Sequence, residues 1–153
     1  MELETPISLQ KEHEDLHSQI AKIRTLGGKT SQALERLVEV MHHHFVYEEE
    51  KSLPVLALIK DLALNPHPPK IDADVAKKAI KLALYLETHY DEMVEEHKKV
   101  SKAAEELAEV ALDEDKVAAI EFSDMLKNHA QVEEEVTYPA IILVGKYLRG
   151  HAK

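Results

Sequence analysis

Apolar residues recur at three- and four-residue steps along most of the chain, and that periodicity predicts helix wherever it is sustained. Leu9, Leu16, Ile20 and Ile23 mark a first helix over about 7–26, which Gly27-Gly28 ends. Thr30 or Ser31 is placed to cap a second helix, whose positions Leu34, Leu37, Val40 and Met41 lead into His44 and Glu48. Pro54 falls inside a still apolar pattern over 55–59 and is expected to kink the helix without ending it. Asn65-Pro66-His67-Pro68-Pro69 is no helix interior and makes the long central connection. Asp72 or Asp74 caps a third helix, which carries Ile80, Leu84, Leu86, Tyr90, Met93, Val94, His97, Val100 and Leu107 until Leu112-Asp113-Glu114-Asp115 breaks the pattern. The fourth helix carries Val117, Ile120, Phe122, Met125, Leu126, His129, Val132, Glu133 and Val136, kinks at Pro139 and frays after Gly150. No stretch alternates with period two for long enough to predict a strand. The expected fold is all-α, an antiparallel up-down-up-down four-helix bundle forming one domain over 1–153.

The pattern is also internally repeated. His44-x-x-x-Glu48-Glu49-Glu50 followed by Pro54 returns as His129-x-x-x-Glu133-Glu134-Glu135 followed by Pro139, displaced by 85 positions. Glu12-His13-x-x-Leu16 returns as Glu96-His97-x-x-Val100, displaced by 84. The chain therefore reads as one two-helix unit used twice.

In an antiparallel hairpin, residues equidistant from the turn lie at one height. The midpoint of His13 and His44 falls at 28.5, in the Gly27-Gly28-Lys29 turn, and that of His97 and His129 at 113. The midpoint of His44 and His97 is 70.5, beside Pro68-Pro69. All four histidines are thus expected at one level, roughly 20 Å from the connecting ends at ~1.5 Å per residue. Counting helical steps from each also places it on the apolar face of its helix. His129 shares its face with Phe122, Met125, Leu126, Val132 and Val136. Glu48 and Glu133, four residues beyond His44 and His129, project from the same faces one turn on.

Four imidazoles and two carboxylates in a bundle core require partners, since each unsatisfied buried group costs about 1–3 kcal/mol. A pair of metal ions satisfies them together. Cysteine is absent, which excludes disulfides, thiolate catalysis and cysteine-ligated clusters and leaves histidine and carboxylate as the metal-binding groups. Imidazole suits iron, zinc, copper or nickel, and bridging carboxylates favour iron or manganese chemistry. The net charge of −10 argues against a nucleic-acid partner. Met-Glu-Leu-Glu-Thr-Pro at the start lacks the features of a signal peptide, and no apolar run approaches membrane-spanning length, so the expected location is the cytoplasm.

At these residues the chain resembles the hemerythrin-like family, the histidine–histidine–glutamate cation-binding domains. The resemblance rests on Glu12-His13-x-x-Leu16, His44-x-x-x-Glu48-Glu49, Glu96-His97 and His129-x-x-x-Glu133-Glu134 with their two prolines, and it covers nearly the whole chain. It implies a non-haem di-iron centre, two iron ions ahead of zinc or manganese, held by His13, His44, Glu48, His97, His129 and Glu133, with Glu48 and Glu133 as bridges. Oxygen-carrying hemerythrins have a further histidine four residues after the third; Ser101 stands there, and Glu133 stands at plus four on the last helix. The resemblance is therefore to the four-histidine, two-glutamate branch, and it implies binding, sensing or reduction of O2, peroxide or NO, with electrons from an external donor. Rival expectations are a peroxidase or catalase-like enzyme, an iron or zinc storage or sensor module, and a metal-free helical interaction domain. His17 stands as a possible further contributor. Glu49 and Glu134 are expected as solvated charges or as fallback ligands if the helix is locally over- or underwound. Tyr47, Tyr90 and Tyr138 are expected to serve core packing, although they could lie near the site. His42, His43, His67, His89 and His151 are expected to have no metal role.

Overall fold

A computed structural model describes residues 2–65 and 70–151, and within them the chain is helical with no strand. Helix α1 spans Ile7–Arg24 and α2 spans Gly28–Tyr47. The second helical path then widens into a π turn, Glu48–Ser52, tightens into a 3-10 segment, Leu53–Leu58, and ends in the short α3, Ile59–Leu64. The third path comprises α4, Ala73–Thr88, and α5, Tyr90–Asp113. The fourth comprises α6, Val117–Val132, a second π turn, Glu133–Thr137, and α7, Tyr138–Gly150. Three of the four expected helices are thus interrupted. The Pro66–Pro69 part of the expected central connection, His67 included, lies outside the described residues.

The interruptions have local causes. Proline lacks an N–H and its ring crowds the carbonyl four residues back, so a helix approaching it must loosen. Here the Leu53 amide bonds to the Glu48 carbonyl and the Tyr138 amide to the Glu133 carbonyl, each five residues back. The expected kinks are therefore widened turns placed just ahead of Pro54 and Pro139. At the α4–α5 junction, Thr88 Oγ1 donates to the Leu84 carbonyl at 2.9 Å and His89 Nδ1 to the Tyr85 carbonyl at 2.8 Å. Side-chain donors competing for helical carbonyls bend a helix, and this one breaks for a single residue.

The caps differ in part from expectation. Asp72 caps α4 as expected, accepting from the amides of Asp74 and Val75. Helix α2, however, starts at Gly28, before Thr30 and Ser31. Its first amides are satisfied from the other turn: Lys29 and Thr30 N–H donate to the Glu114 carboxylate at 3.2 and 2.6 Å, and Thr30 Oγ1 donates at 2.6 Å. Those Thr30 bonds hold the Glu114 carboxyl below its ordinary value. Gly28 is required twice over, by φ of +66° and because a Cβ there would lie 2.5 Å from a Glu114 oxygen. Ser31 instead donates to the Ile23 and Arg24 carbonyls, closing the end of α1.

Helix α2 packs on α5, α5 on α6, α4 on α7, and α1 against α2 and α6. Two apolar clusters result. One includes Leu16, Ile20, Ile23, Leu34, Leu37, Met41, Phe45, Val100, Leu107, Phe122 and Leu126. The other includes Val55, Leu58, Ala79, Leu86, Tyr138, Ile141, Val144 and Leu148. The α4–α7 contact is especially close, since a Cβ on Gly145 would meet that of Ala83 at 2.4 Å. Met125, Val132 and Val136, expected on the face of His129, are at the surface, Val136 at 61% exposure. No helix among the described residues is long and apolar enough to cross a membrane.

Candidate metal centre

The polar exceptions to this interior include His13, His44, His97, His129, Glu48 and Glu133, all buried. They come from all four helical paths. The spacing within each His-x-x-x-Glu pair puts both members on one helix face. Two groups, His13/Glu48/His129/Glu133 and His44/Glu48/His97/Glu133, each bring one donor atom per residue within 4.8 Å of the others, and each could hold a metal ion. Glu48 and Glu133 belong to both.

The carboxylates divide their oxygens between the two halves. Glu48 Oε1 contacts His44 Nε2, while Oε2 faces His13 Nε2 at 3.6 Å. Glu133 Oε1 lies 3.2 Å from His97 Nε2, while Oε2 faces His129 Nε2 at 3.5 Å. Three atoms in the centre, Glu48 Oε2, Glu133 Oε2 and His129 Nε2, are buried and have no hydrogen-bond partner. A dry core does not retain such atoms cheaply. Their separations exceed hydrogen-bond length but suit atoms arranged around a cation, so the residues present fit a pair of metal ions.

Each ring is turned by a carboxylate on its outer side. His13 Nδ1 donates to Glu49 at 3.0 Å, His44 Nδ1 to Glu96 at 2.8 Å and His97 Nδ1 to Glu134 at 2.9 Å, while His129 Nδ1 donates to Glu12. This orients each ring with Nε2 aimed inward, where it can bind a metal once any proton on it is displaced. Glu49 and Glu134, expected as solvated charges or fallback ligands, bond the outer ring nitrogens of His13 and His97, and each lies within a locally underwound turn. Glu12 and Glu96 hold the corresponding places in the other half of each unit. Their signal was in the sequence, since both stand directly before a repeated histidine. His17 is exposed and reaches the centre only indirectly, donating to Glu49 at 3.2 Å.

Without a metal the layer carries protons. Burial pushes the imidazoles down, but bonds and charges from Glu133 and Glu48 outweigh it and raise His44 to about 11. The same opposition, with Glu12 added, raises His129 to about 9. Burial and then the Glu133 charge push Glu48 well above the ordinary carboxylate range. Burial also disfavours the Glu133 anion, yet hydrogen bonds from Glu48 and the histidines hold it well below that range. Cations entering the layer would take the place of these protons.

Comparison with known proteins gave nothing. No family model, curated protein or solved structure matches this chain.

Among residues expected to be bland, His42, His43 and His151 are exposed, His89 is half-buried, and all four lie outside the centre. Tyr47 packs beside Tyr85, and Tyr90 donates to the Glu134 carbonyl at 3.0 Å. Tyr138 differs from both. It is fully buried, donates to Glu48 Oε1 at 3.1 Å and lies 3.1 and 3.3 Å from the Nε2 atoms of His44 and His97. Burial, then the charges of Glu48 and Glu133, push its phenol far up. At about 100° per residue Tyr138 would fall opposite His129 on a regular helix. The intervening π turn rotates it inward, and periodicity alone gives no sign of that.

Proposed function

We propose that this chain is a hemerythrin-like protein. In this reading the packed helical paths form an antiparallel up-down-up-down bundle, one domain over 1–153. His13, His44, His97 and His129 hold two iron ions bridged by Glu48 and Glu133. The function is to bind, sense or reduce a small oxygen- or nitrogen-derived ligand: O2, peroxide or NO. The observation that carries the reading is the division of each central carboxylate between two histidine pairs, with oxygens of both left unpartnered on one side. Bound iron would supply Lewis-acid and redox chemistry. The chain's own residues contribute the inward Nε2 atoms, the outer carboxylates that orient them, and an apolar surround that limits water. Among the described residues no other buried acid or base stands beside the centre apart from Tyr138. Electrons for any reduction would come from an external donor.

The test is metal analysis with an absorption spectrum on protein purified without added metal. The expected result is two irons per chain with near-ultraviolet oxo-bridge bands, and absence of bound metal overturns the reading. With the irons in place, repeated turnover of hydrogen peroxide identifies an enzyme. A stable adduct without turnover identifies a binder or sensor.

A further inference from the structure

The repeat that builds the centre is broken at one position beside it. The residue before each proline is Leu53 in the first unit and Tyr138 in the second, and both are buried. Leu53 lines a cavity of about 40 Å³ with Leu9, His13, His129 and Glu133. Tyr138 instead puts an oxygen against the other half, 3.1 Å from Glu48 Oε1, 3.1 Å from His44 Nε2 and 3.3 Å from His97 Nε2. Its ring is stacked on His97, tilted by 16°, which fixes where that oxygen sits.

These three distances are informative together. Donors bonded at about 2.1 Å to one ion, as for metal–imidazole bonds, lie about 3 Å from each other at right angles. A phenolic oxygen that served only as a hydrogen-bond donor needs one acceptor, and Glu48 supplies it. This oxygen is in addition nearly equidistant from the Nε2 atoms of His44 and His97, which themselves lie 2.9 Å apart in the same cation group. That is the placement of another donor in the same set. All three unpartnered atoms of the centre belong to the opposite half or point into it: Glu48 Oε2, Glu133 Oε2 and His129 Nε2.

Resting on the di-iron reading above, we propose that Tyr138 is a fifth protein donor to the cation held by His44 and His97. The half built from His13 and His129, which has an apolar leucine and a cavity in the equivalent place, keeps the position open to an outside ligand. On binding ferric iron the Tyr138 O–H bond ionises, the oxygen–iron bond forms, and the proton leaves to solvent; no electron moves.

The test is resonance Raman spectroscopy on the ferric-loaded protein, with iron counted in the same sample. The expected spectrum contains tyrosinate ring modes enhanced through a visible phenolate-to-iron band. Tyr138→Phe is expected to lose that band. Two irons per chain without tyrosinate modes in the unmodified protein overturns the Tyr138 assignment and leaves the di-iron reading standing. No bound iron overturns both. If the Phe variant folds and keeps the phenolate band, a different tyrosine is the donor and the proposal fails. Should the Phe variant not fold, the spectrum of the unmodified protein still decides.

Discussion

The His44–His97 half of the centre and the His13–His129 half are made from the same motif, and they are finished differently. Both have two inward imidazoles, two outer carboxylates and a share of Glu48 and Glu133. One half adds Tyr138 and leaves none of its own nitrogens unpartnered. The other stacks His13 on Phe45 at 4.9 Å, presents Leu53, and holds every unpartnered atom of the centre. The comparison separates two requirements that a symmetric site would blur. The shared carboxylates and the turned rings could hold metal in either half, and under the proposal above the residue ahead of the proline sets what else a half accepts.

The largest expected effect comes from what the halves share. Glu133→Ala should reduce iron from two per chain to none, because both halves lose a donor and the buried imidazoles lose their main counter-charge. His13→Ala should instead spare the Tyr138 half and retain about one ion, as read by metal analysis. If His13→Ala and Glu133→Ala lose metal equally, the halves are not separable.

Next in size is the response to pH. His44, His129 and Glu48 are all raised by folding. A group with a raised folded value contributes most below its unfolded value and loses that contribution as pH climbs through its folded value. For the histidines the unfolded value is 6.5, so metal-free protein should become steadily easier to unfold in urea from about pH 6.5 through 9 and towards 11. Glu48 acts in the same direction from its ordinary value upward. Metal-loaded protein should show the opposite slope over the neutral range, because the ions compete with those protons. Parallel slopes would mean the layer is not proton-loaded when empty.

The smallest effect sharpens the comparison one half at a time. Glu12→Gln removes the negative charge behind His129, and Glu96→Gln does so behind His44. Each should weaken one ion by about 10–100-fold, the usual scale for a carboxylate behind a metal-bound histidine. Stepwise cobalt titration should show a different step displaced in each variant; loss of both steps together would argue against independent halves.

Much of the centre was legible because the helical period holds up to the glutamates. From His44 to Glu48 and from His129 to Glu133 every step is ordinary α-helix, so spacing alone put the six residues in one layer. Met125 and Val132 lie outside the buried arc of α6, which turns towards Ala119, Leu126 and Ala130 and is not centred on His129. Beyond Glu133, five residues of π turn change the angle at which Val136 and Tyr138 leave the axis. The outer carboxylates stand beside the repeated histidines in the sequence, but not beside the rings they turn. Glu12 turns His129 and Glu96 turns His44, pairings across helices that no local pattern contains. The same holds for Glu114, whose service to Lys29 and Thr30 reaches between two turns.

A π turn acts on a sequence as a single inserted residue. Before it the buried positions of the last helical path run 122, 126, 129 and 133; after it they run 138, 141, 144 and 148. The second series is out of frame with the first by one residue, so the two ends of one continuous rod obey two separate reading frames. Shortening the turn by a residue would merge them, and Tyr138 would be carried out of the layer with every core position that follows it.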